Sequence, residues 1–373
     1  MTLRVRFAPS PTGRLHLGNA RIAVFNWLFA HRHGGRFVMR IEDTDPDRTV
    51  PGAEAAILKD LSWLGLNWNE GPDVGGPFGP YRQSERGPLH REAVMALIAR
   101  GKAYRCWCLP EELARHRRAT PSGEVLRYPG TCRDLPEART RELAGSGRSS
   151  VVRFRAPDAD AVTVEDAVRG AVSFPATDLD DFVLLKADGS ATYNLAVVVD
   201  DVGMEITHVI RGVGHLSNTH KQALLFDALE RPRPRFVHLP TVLGPDGHPL
   251  SKRQGSQSLD HLRAEGYNPT AVVNYLSLLG WSSPDQREVL TVEELSVTRS
   301  PFEPVANRVA EVEYSPVATG LALVTGHDPG LQPAAAGDDV GHHFFVTREH
   351  GIAFVLEQRE KLRVEYHTVF DYL

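Results

Sequence analysis

The chain has 373 residues, of which 24 % are charged and 42 % hydrophobic, and a formal net charge of −5. Such a composition is ordinary for a soluble globular protein of two or three domains, and the acidic balance excludes nucleic-acid binding by bulk attraction alone while leaving room for a local basic face. Three cysteines, an odd number, exclude a secreted disulfide framework, and Met1 to Ser10 lacks the apolar stretch of a signal peptide; with no run near the roughly eighteen apolar residues of a membrane span, the expected location is the cytoplasm and no membrane partner is expected.

In chain order, Leu3, Val5 and Phe7 alternate with polar partners and predict a strand. A Pro/Gly loop, Ala8 to Gly13, follows, and then Ile22, Val24, Phe25, Leu28 and Phe29 mark an amphipathic helix. A second strand is predicted over Arg36 to Ile41, ending in the acidic cluster Glu42-Asp43-Thr44-Asp45, and helical spacing returns at Ile57, Leu58, Leu61 and Leu64. This rhythm predicts a doubly wound α/β domain with a parallel sheet. From about Leu89 to Asp178 the pattern changes: it holds Cys106, Cys108 and Cys132, a charged helix near Glu111 to Arg118 and a short strand Val151 to Arg155, and it reads as an insertion. The α/β rhythm resumes with a strand Phe182 to Lys186, a helix Tyr193 to Val199, a strand Ile206 to Ile210 and a helix Asn218 to Leu229. Helical stretches at Asp260 to Ala264 and Thr270 to Leu279 suggest a small helical connection domain, and Thr291-Val-Glu-Glu294 has the form of a capping box. The final segment, His343 to Leu373, is open between strands and a helix.

Two segments far apart in the chain have the chemistry of a nucleotide site. The first strand-to-helix turn runs Pro9-Ser-Pro-Thr-Gly-Arg-Leu-His16-Leu-Gly18-Asn19, which places glycines and a histidine at the mouth of a parallel sheet, where a helix N-terminus offers unpaired N–H groups. The second, Gly244 to Gly255, carries the adjacent Ser251, Lys252 and Arg253 in a Gly/Pro-rich loop, which taken alone reads as a basic surface turn but is also suited to stabilising charge on a phosphate in flight. The clustering of the three cysteines points to a metal or to local packing.

Taken together these residues resemble class I aminoacyl-tRNA synthetases. His16-Leu17-Gly18-Asn19 looks like the "HIGH" motif and Leu250-Ser251-Lys252-Arg253 like the "KMSKS" loop. Arg6-Phe-Ala8-Pro-Ser10-Pro-Thr-Gly13, Arg40-Ile-Glu42-Asp43-Thr44-Asp45, the block Glu70 to Glu85, and Tyr193-Asn-Leu-Ala-Val-Val-Val-Asp-Asp201 narrow the resemblance to bacterial-type glutamyl-tRNA synthetases, over about residues 2 to 295. The resemblance implies a Rossmann-like catalytic domain over 1–88 and 179–243, an inserted acceptor-binding domain over 89–178, a signature loop and helical stem-contact domain over 244–295, and a divergent segment over 296–373. It implies a monomeric glutamate–tRNA ligase using ATP and Mg²⁺, with tRNA-Glu as acceptor. His16 and Lys252 are then the catalytic residues, and Pro9, Thr12, Gly13, His16, Gly18, Asn19, Ser251, Lys252 and Arg253 the ATP-binding ones. Arg6, Ala8, Ser10, Glu42, Tyr193 and Arg211 would bind glutamate: guanidinium groups for its carboxylates, Glu42 for its ammonium and hydroxyls from Ser10 and Tyr193. A structural zinc ion would be held by Cys106, Cys108 and Cys132 with Tyr128 or Asp134 as the fourth donor.

The chain departs from the family at three places. Val213 and Gly214 stand where an acidic pair is usual before His215, Pro249 replaces the first lysine of the signature loop, and the helical anticodon-binding region is not recognisable after about Leu295. Three functions therefore stay open: charging of tRNA; transfer of glutamate to a modified tRNA base, as in glutamyl-queuosine synthetases, or to a small-molecule or carrier acceptor; and a non-catalytic synthetase-like binding module.

Overall fold

The computed structural model describes residues 2–115, 117–120, 123–126, 128–243, 258–279, 281, 283, 287–297, 312–313, 343–347 and 351–355. The chain opens with β1 (Arg4–Phe7), α1 (Leu17–Arg32) and β2 (Arg36–Met39), and β1 runs parallel to β2 with Val5 opposite Phe37 and Phe7 opposite Met39. α2 (Ala53–Trp63) follows. The segment after it returns to the β2 edge, where Met39 N donates to Glu70 O at 2.8 Å and Ile41 N to Tyr81 O at 2.9 Å. α3 (Gly87–Ala99) then leads out of the first half of the fold.

The next stretch is largely antiparallel. It comprises β3 (Ala103–Cys106), α4 (Pro110–Ala114), β4 (Arg117–Thr120), β5 (Gly123–Leu126), α5 (Glu137–Gly145), β6 (Val151–Phe154), β7 (Ala161–Asp166), β8 (Gly170–Pro175) and β9 (Val183–Leu185). Two sequence expectations change here. The charged helix expected to run to Arg118 ends at Ala114, because Arg117–Thr120 pairs as a strand with Gly123–Leu126. The strand at 182–186 does not rejoin the parallel sheet: β9 pairs antiparallel with β6 in a sheet ordered β3-β6-β9, and Leu184 is fully buried there. The β7–β8 hairpin, although within the expected insertion, extends the main sheet, with Asp166 opposite Phe236.

The return to the main sheet is made by α6 (Tyr193–Gly203), β10 (His208–Gly212), α7 (Leu216–Ala228) and β11 (Arg235–Leu239). β10 and β11 are parallel, and β1 lies beside β10, with Thr207 N donating to Arg4 O at 3.0 Å. The strands are apolar on both faces, as a sheet covered by helices on either side requires. Val5, Phe37, Met39, Ile210 and Val237 pack with α1 and α2, whereas Val38, Val209 and Phe236 pack with α3, α6 and α7. The doubly wound α/β architecture is therefore present.

β12 (Val242–Leu243) follows β11, and α8 (Leu259–Ala264), α9 (Pro269–Leu278) and α10 (Val292–Val297) come after it. Pro269 opens α9, where no N–H partner is needed, and Asn268 Oδ1 caps Thr270 N at 2.9 Å. The expected capping box at α10 forms reciprocally: Glu294 N donates to Thr291 Oγ1 at 3.1 Å and Thr291 N to Glu294 Oε2 at 2.8 Å. Val272, Val273 and Leu276 of α9 join the α1 core together with Trp281. β13 (Val312–Glu313) pairs with β12, and β14 (His343–Thr347) pairs antiparallel with β15 (Gly351–Val355), which decides for strands at those two stretches.

Candidate active site

The loop leaving β1 is tied down by its backbone. Glu42 N donates to Pro9 O at 3.0 Å, Val50 N to Pro11 O at 2.9 Å and Thr12 N to Ser10 O at 2.8 Å. Gly13 turns the loop with φ 137°, a region that disfavours side chains. His16 is the residue preceding α1, and its carbonyl accepts from Ala20 N at 2.8 Å. Nothing lies within 4 Å of where a Cβ would stand on Gly18, so a ligand can approach the first turn of the helix closely. A cavity of about 400 Å³ opens there, lined by His16, Gly18, Asn19, Arg21, Gly214 and Thr241 among others. Among the described residues that line it there is no carboxylate, which suits a polyanion.

The Gly244 to Gly255 loop, with Pro249, Ser251, Lys252 and Arg253, lies outside the described residues. Its flanks are informative. Val242, just before it, lines the same cavity; Ser258, just after it, bridges to His16, and Leu259 N donates to Leu15 O at 3.3 Å. Both ends of that segment therefore converge on the start of α1.

Beyond the cavity, Arg6, Glu42, Tyr193 and Arg211 come together from β1, the loop after β2, the start of α6 and β10. They are close enough to shift one another: burial raises the Tyr193 hydroxyl, Glu42 adds to the rise, and Arg211 and Arg6 oppose it. Burial raises Glu42 above the usual carboxylate range against the pull of Arg40 and Arg6. Ala8 and Ser10, on the adjoining loop, are half-buried and exposed. Tyr193 Oη lies 2.9 Å from His215 Nδ1.

The two arginines are held differently. Arg6 Nε donates to Asp201 Oδ1 at 3.1 Å, so Arg6 is already paired with a buried carboxylate rather than standing ready as a lone cation. Arg211 is as buried, yet all three of its hydrogen-bond partners are neutral: Gln222 Oε1 at 2.7 Å, Thr219 Oγ1 at 2.9 Å and His238 Nε2 at 3.0 Å. Burial, with Arg6 nearby, lowers Arg211 to about 10.

Sequence reasoning assigned no role to several residues that hold this site. Asp201 Oδ1 also accepts from Arg40 Nη1 at 2.6 Å, and Arg40 Nη2 donates to Glu42 Oε1 at 3.1 Å, so a chain of ion pairs, buried up to the half-buried Glu42, links Arg6 to Glu42. Asp200 accepts from Arg86 at 2.6 Å and Gln83 at 2.8 Å and faces His90 Nε2 at 2.9 Å. Arg21 donates from α1 to Pro240 O at 2.9 Å and Leu279 O at 2.6 Å. Arg40, Gln83, Asp200 and Asp201 all fall within the blocks that carried the resemblance, which was the available signal.

A separate cluster lies in the antiparallel part. The sulfur atoms of Cys106, Cys108 and Cys132 are within 4.8 Å of one another, with Cys108 and Cys132 3.7 Å apart. Two thiolates on one tetrahedral zinc ion are about 3.8 Å apart, given Zn–S bonds near 2.3 Å. Tyr128 Oη lies 3.4 Å from Cys106 Sγ and 4.0 Å from Cys108 Sγ. Of the two expected fourth donors only Tyr128 is at the sulfurs. Asp134 is exposed and held by Arg155 at 2.7 Å, the stronger partner for a solvent-facing carboxylate.

Comparison with known proteins agrees with this geometry. The family described as "tRNA synthetases class I (E and Q), catalytic domain" matches residues 2–311. The glutamate–tRNA ligase of Desulforudis audaxviator is 52 % identical over 295 residues, and that of Heliobacterium modesticaldum 51 % over 294; each alignment covers 79 % of this chain and 59 % of the relative. The chain thus spans about three fifths of the length of these curated relatives. A crystal structure of the glutamate–tRNA synthetase from Elizabethkingia anophelis superposes with a TM-score of 0.77 at 36 % identity, covering 85 % of this chain and 68 % of that one. A match over most of the chain, together with a parallel sheet that opens on a helix N-terminus at His16, means that the chain belongs to the class I tRNA synthetases of the E and Q type.

Proposed function

We propose that the chain activates L-glutamate with ATP to glutamyl adenylate and transfers the glutamyl group to the 3′ end of a tRNA. The observation that carries this reading is Arg211, a buried guanidinium hydrogen-bonded only to neutral groups, grouped with Glu42 and Tyr193 near a cavity at the start of α1 whose described lining holds no carboxylate. Arg211 takes one glutamate carboxylate and Glu42 the ammonium, with Arg6 completing the recognition. ATP occupies the cavity over Gly18, its phosphates toward the N–H groups of α1 and His16. The glutamate α-carboxylate attacks the α-phosphorus in line, the bond to pyrophosphate breaks, and His16 and Lys252 stabilise the charge that develops. Mg²⁺ would be bound through the phosphates of ATP. Ser251 and Arg253 would assist Lys252 on the phosphates, and Zn²⁺ would be held by Cys106, Cys108, Cys132 and Tyr128, supplying structural cross-linking only.

The test is transfer of labelled glutamate to total bacterial tRNA with ATP and Mg²⁺, beside an ATP-free control. ATP-dependent label that is released by mild base, as a 3′ ester is, supports the proposal. Label that resists deacylation moves the acceptor to a modified base. No label, with no glutamate-dependent pyrophosphate exchange in the presence of tRNA, overturns it.

A further inference from the structure

A carboxylate placed directly against Arg211 would fix the guanidinium but cancel its charge. The structure fixes it otherwise. Gln222 Oε1 and Thr219 Oγ1 are neutral acceptors by nature, but the third partner, His238 Nε2, accepts from Arg211 Nε only if the ring is neutral and carries its proton on Nδ1. Nδ1 faces Asp166 Oδ2 at 2.5 Å, and the two side chains are fully buried. The carboxylate cannot swing away, because its other oxygen, Oδ1, accepts from Val168 N and Arg169 N, each at 3.0 Å. Asp166 ends β7, the hairpin strand that meets β11 at Phe236, so the sheet register sets this contact.

We propose that Asp166 and His238 are positioning residues that hold Arg211 by a neutral acceptor of fixed tautomer, so that no carboxylate is hydrogen-bonded to it and it is left to distinguish the carboxylate of glutamate from the amide of glutamine. The inference rests on the glutamate reading above. It adds to that reading a specificity device drawn from a hairpin that sequence reasoning placed in the inserted domain.

Asp166→Asn tests the tautomer. Its amide oxygen stays on the two backbone N–H groups, which puts the amide nitrogen on His238 Nδ1 as a donor. The ring proton then moves to Nε2, where it opposes Arg211 Nε–H; the same logic applies to the aspartate of a Ser-His-Asp triad. Two measurements are made on the whole chain. In ¹⁵N-histidine NMR, with the His238 signal identified by its loss in His238→Gln, the wild-type ring is protonated at Nδ1 and the Asp166→Asn ring at Nε2. In calorimetric titration, Asp166→Asn weakens glutamate about tenfold or more, narrows the glutamate-to-glutamine preference, and changes ATP affinity less than twofold. His238→Leu, which removes the acceptor, weakens glutamate similarly, and His238→Gln, which restores an acceptor oxygen, recovers part of the loss. A wild-type proton on Nε2 overturns the proposal, as does a moved proton with glutamate affinity unchanged relative to ATP. If the wild-type chain binds no glutamate, the glutamate reading fails and the specificity claim with it, while the NMR result still decides whether the relay orients Arg211.

Discussion

Arg6 and Arg211 show how little residue type says about readiness to bind. Both are buried guanidinium groups on neighbouring strands, but Arg6 is engaged by Asp201 while Arg211 is surrounded by neutral acceptors. A buried cation with no counter-ion keeps a large penalty in the empty protein, which an incoming carboxylate relieves. Arg211→Ala is therefore expected to weaken glutamate by roughly ten- to a hundredfold, the equivalent of about 1.5–3 kcal/mol for a charge-assisted hydrogen bond, with ATP affinity nearly unchanged. Arg211→Lys is expected to recover little, since a single ammonium cannot reproduce three fixed contacts. Titration calorimetry with glutamate and ATP separately checks this; equal loss of both ligands would remove Arg211 from the glutamate pocket. The identities of Arg211, Glu42 and Tyr193 as site residues were legible because they lie in short blocks whose resemblance is specific. Their partners were not, because His238, Asp166, Gln222 and Thr219 come from three other elements, and no local pattern says which side chain a sheet register will bring alongside.

Among the elements, those with strong periodicity were read well. α1 carries apolar residues at helical spacing over four turns, and the parallel strands are short apolar runs buried on both faces. Errors fell where tertiary pairing decides between similar local patterns. Val183–Leu185 is equally apolar in a parallel or an antiparallel sheet, and only its contact with β6 selects the second. The cysteine cluster is also a statement about elements, since Cys106 ends β3 and Cys108 and Cys132 lie on loops with little core of their own beyond Tyr104, Trp107 and Tyr128. Holding three thiolates together without a cation is unfavourable: burial and the neighbouring sulfurs push the Cys108 thiol up to about 12. Freshly purified protein is expected to carry about one zinc per chain, and a strong chelator to loosen the segment from 103 to 154 selectively, seen as faster amide exchange there and little change in α1 or β10. A metal-free sample with full protection of that segment would sink the zinc assignment.

At the scale of the whole molecule, the sheet is held by long-range polar contacts as well as by its two apolar faces. Arg4 pairs with Glu70 at 2.7 Å, Arg40 with Asp201 at 2.6 Å and Arg86 with Asp200 at 2.6 Å, the second pair joining residues 161 positions apart. Such contacts tie folding to proton binding. Burial lowers the imidazoles of His33, His208, His215, His220 and His238, with His208 and His215 near 4. Between about pH 6.5 and 4 the unfolded chain therefore binds protons that the native chain refuses, so stability rises with pH across that window and is lost on acidification. The buried His220 and His238 add to this loss most directly, the more exposed imidazoles less. Asp200 and Asp201, held below the ordinary carboxylate range by their cationic and hydrogen-bonding partners against burial, add a further loss only below that range. Glu42, Asp60 and Asp180, raised by burial, act in the opposite direction. Urea denaturation of the ligand-free protein is therefore expected to show stability falling from pH 6 to pH 5, and a smaller slope in His220→Gln. A flat profile between these values would mean that the native chain protonates its histidines as readily as the unfolded one, and that the interior around β11 and α7 is far more accessible to protons than their burial implies.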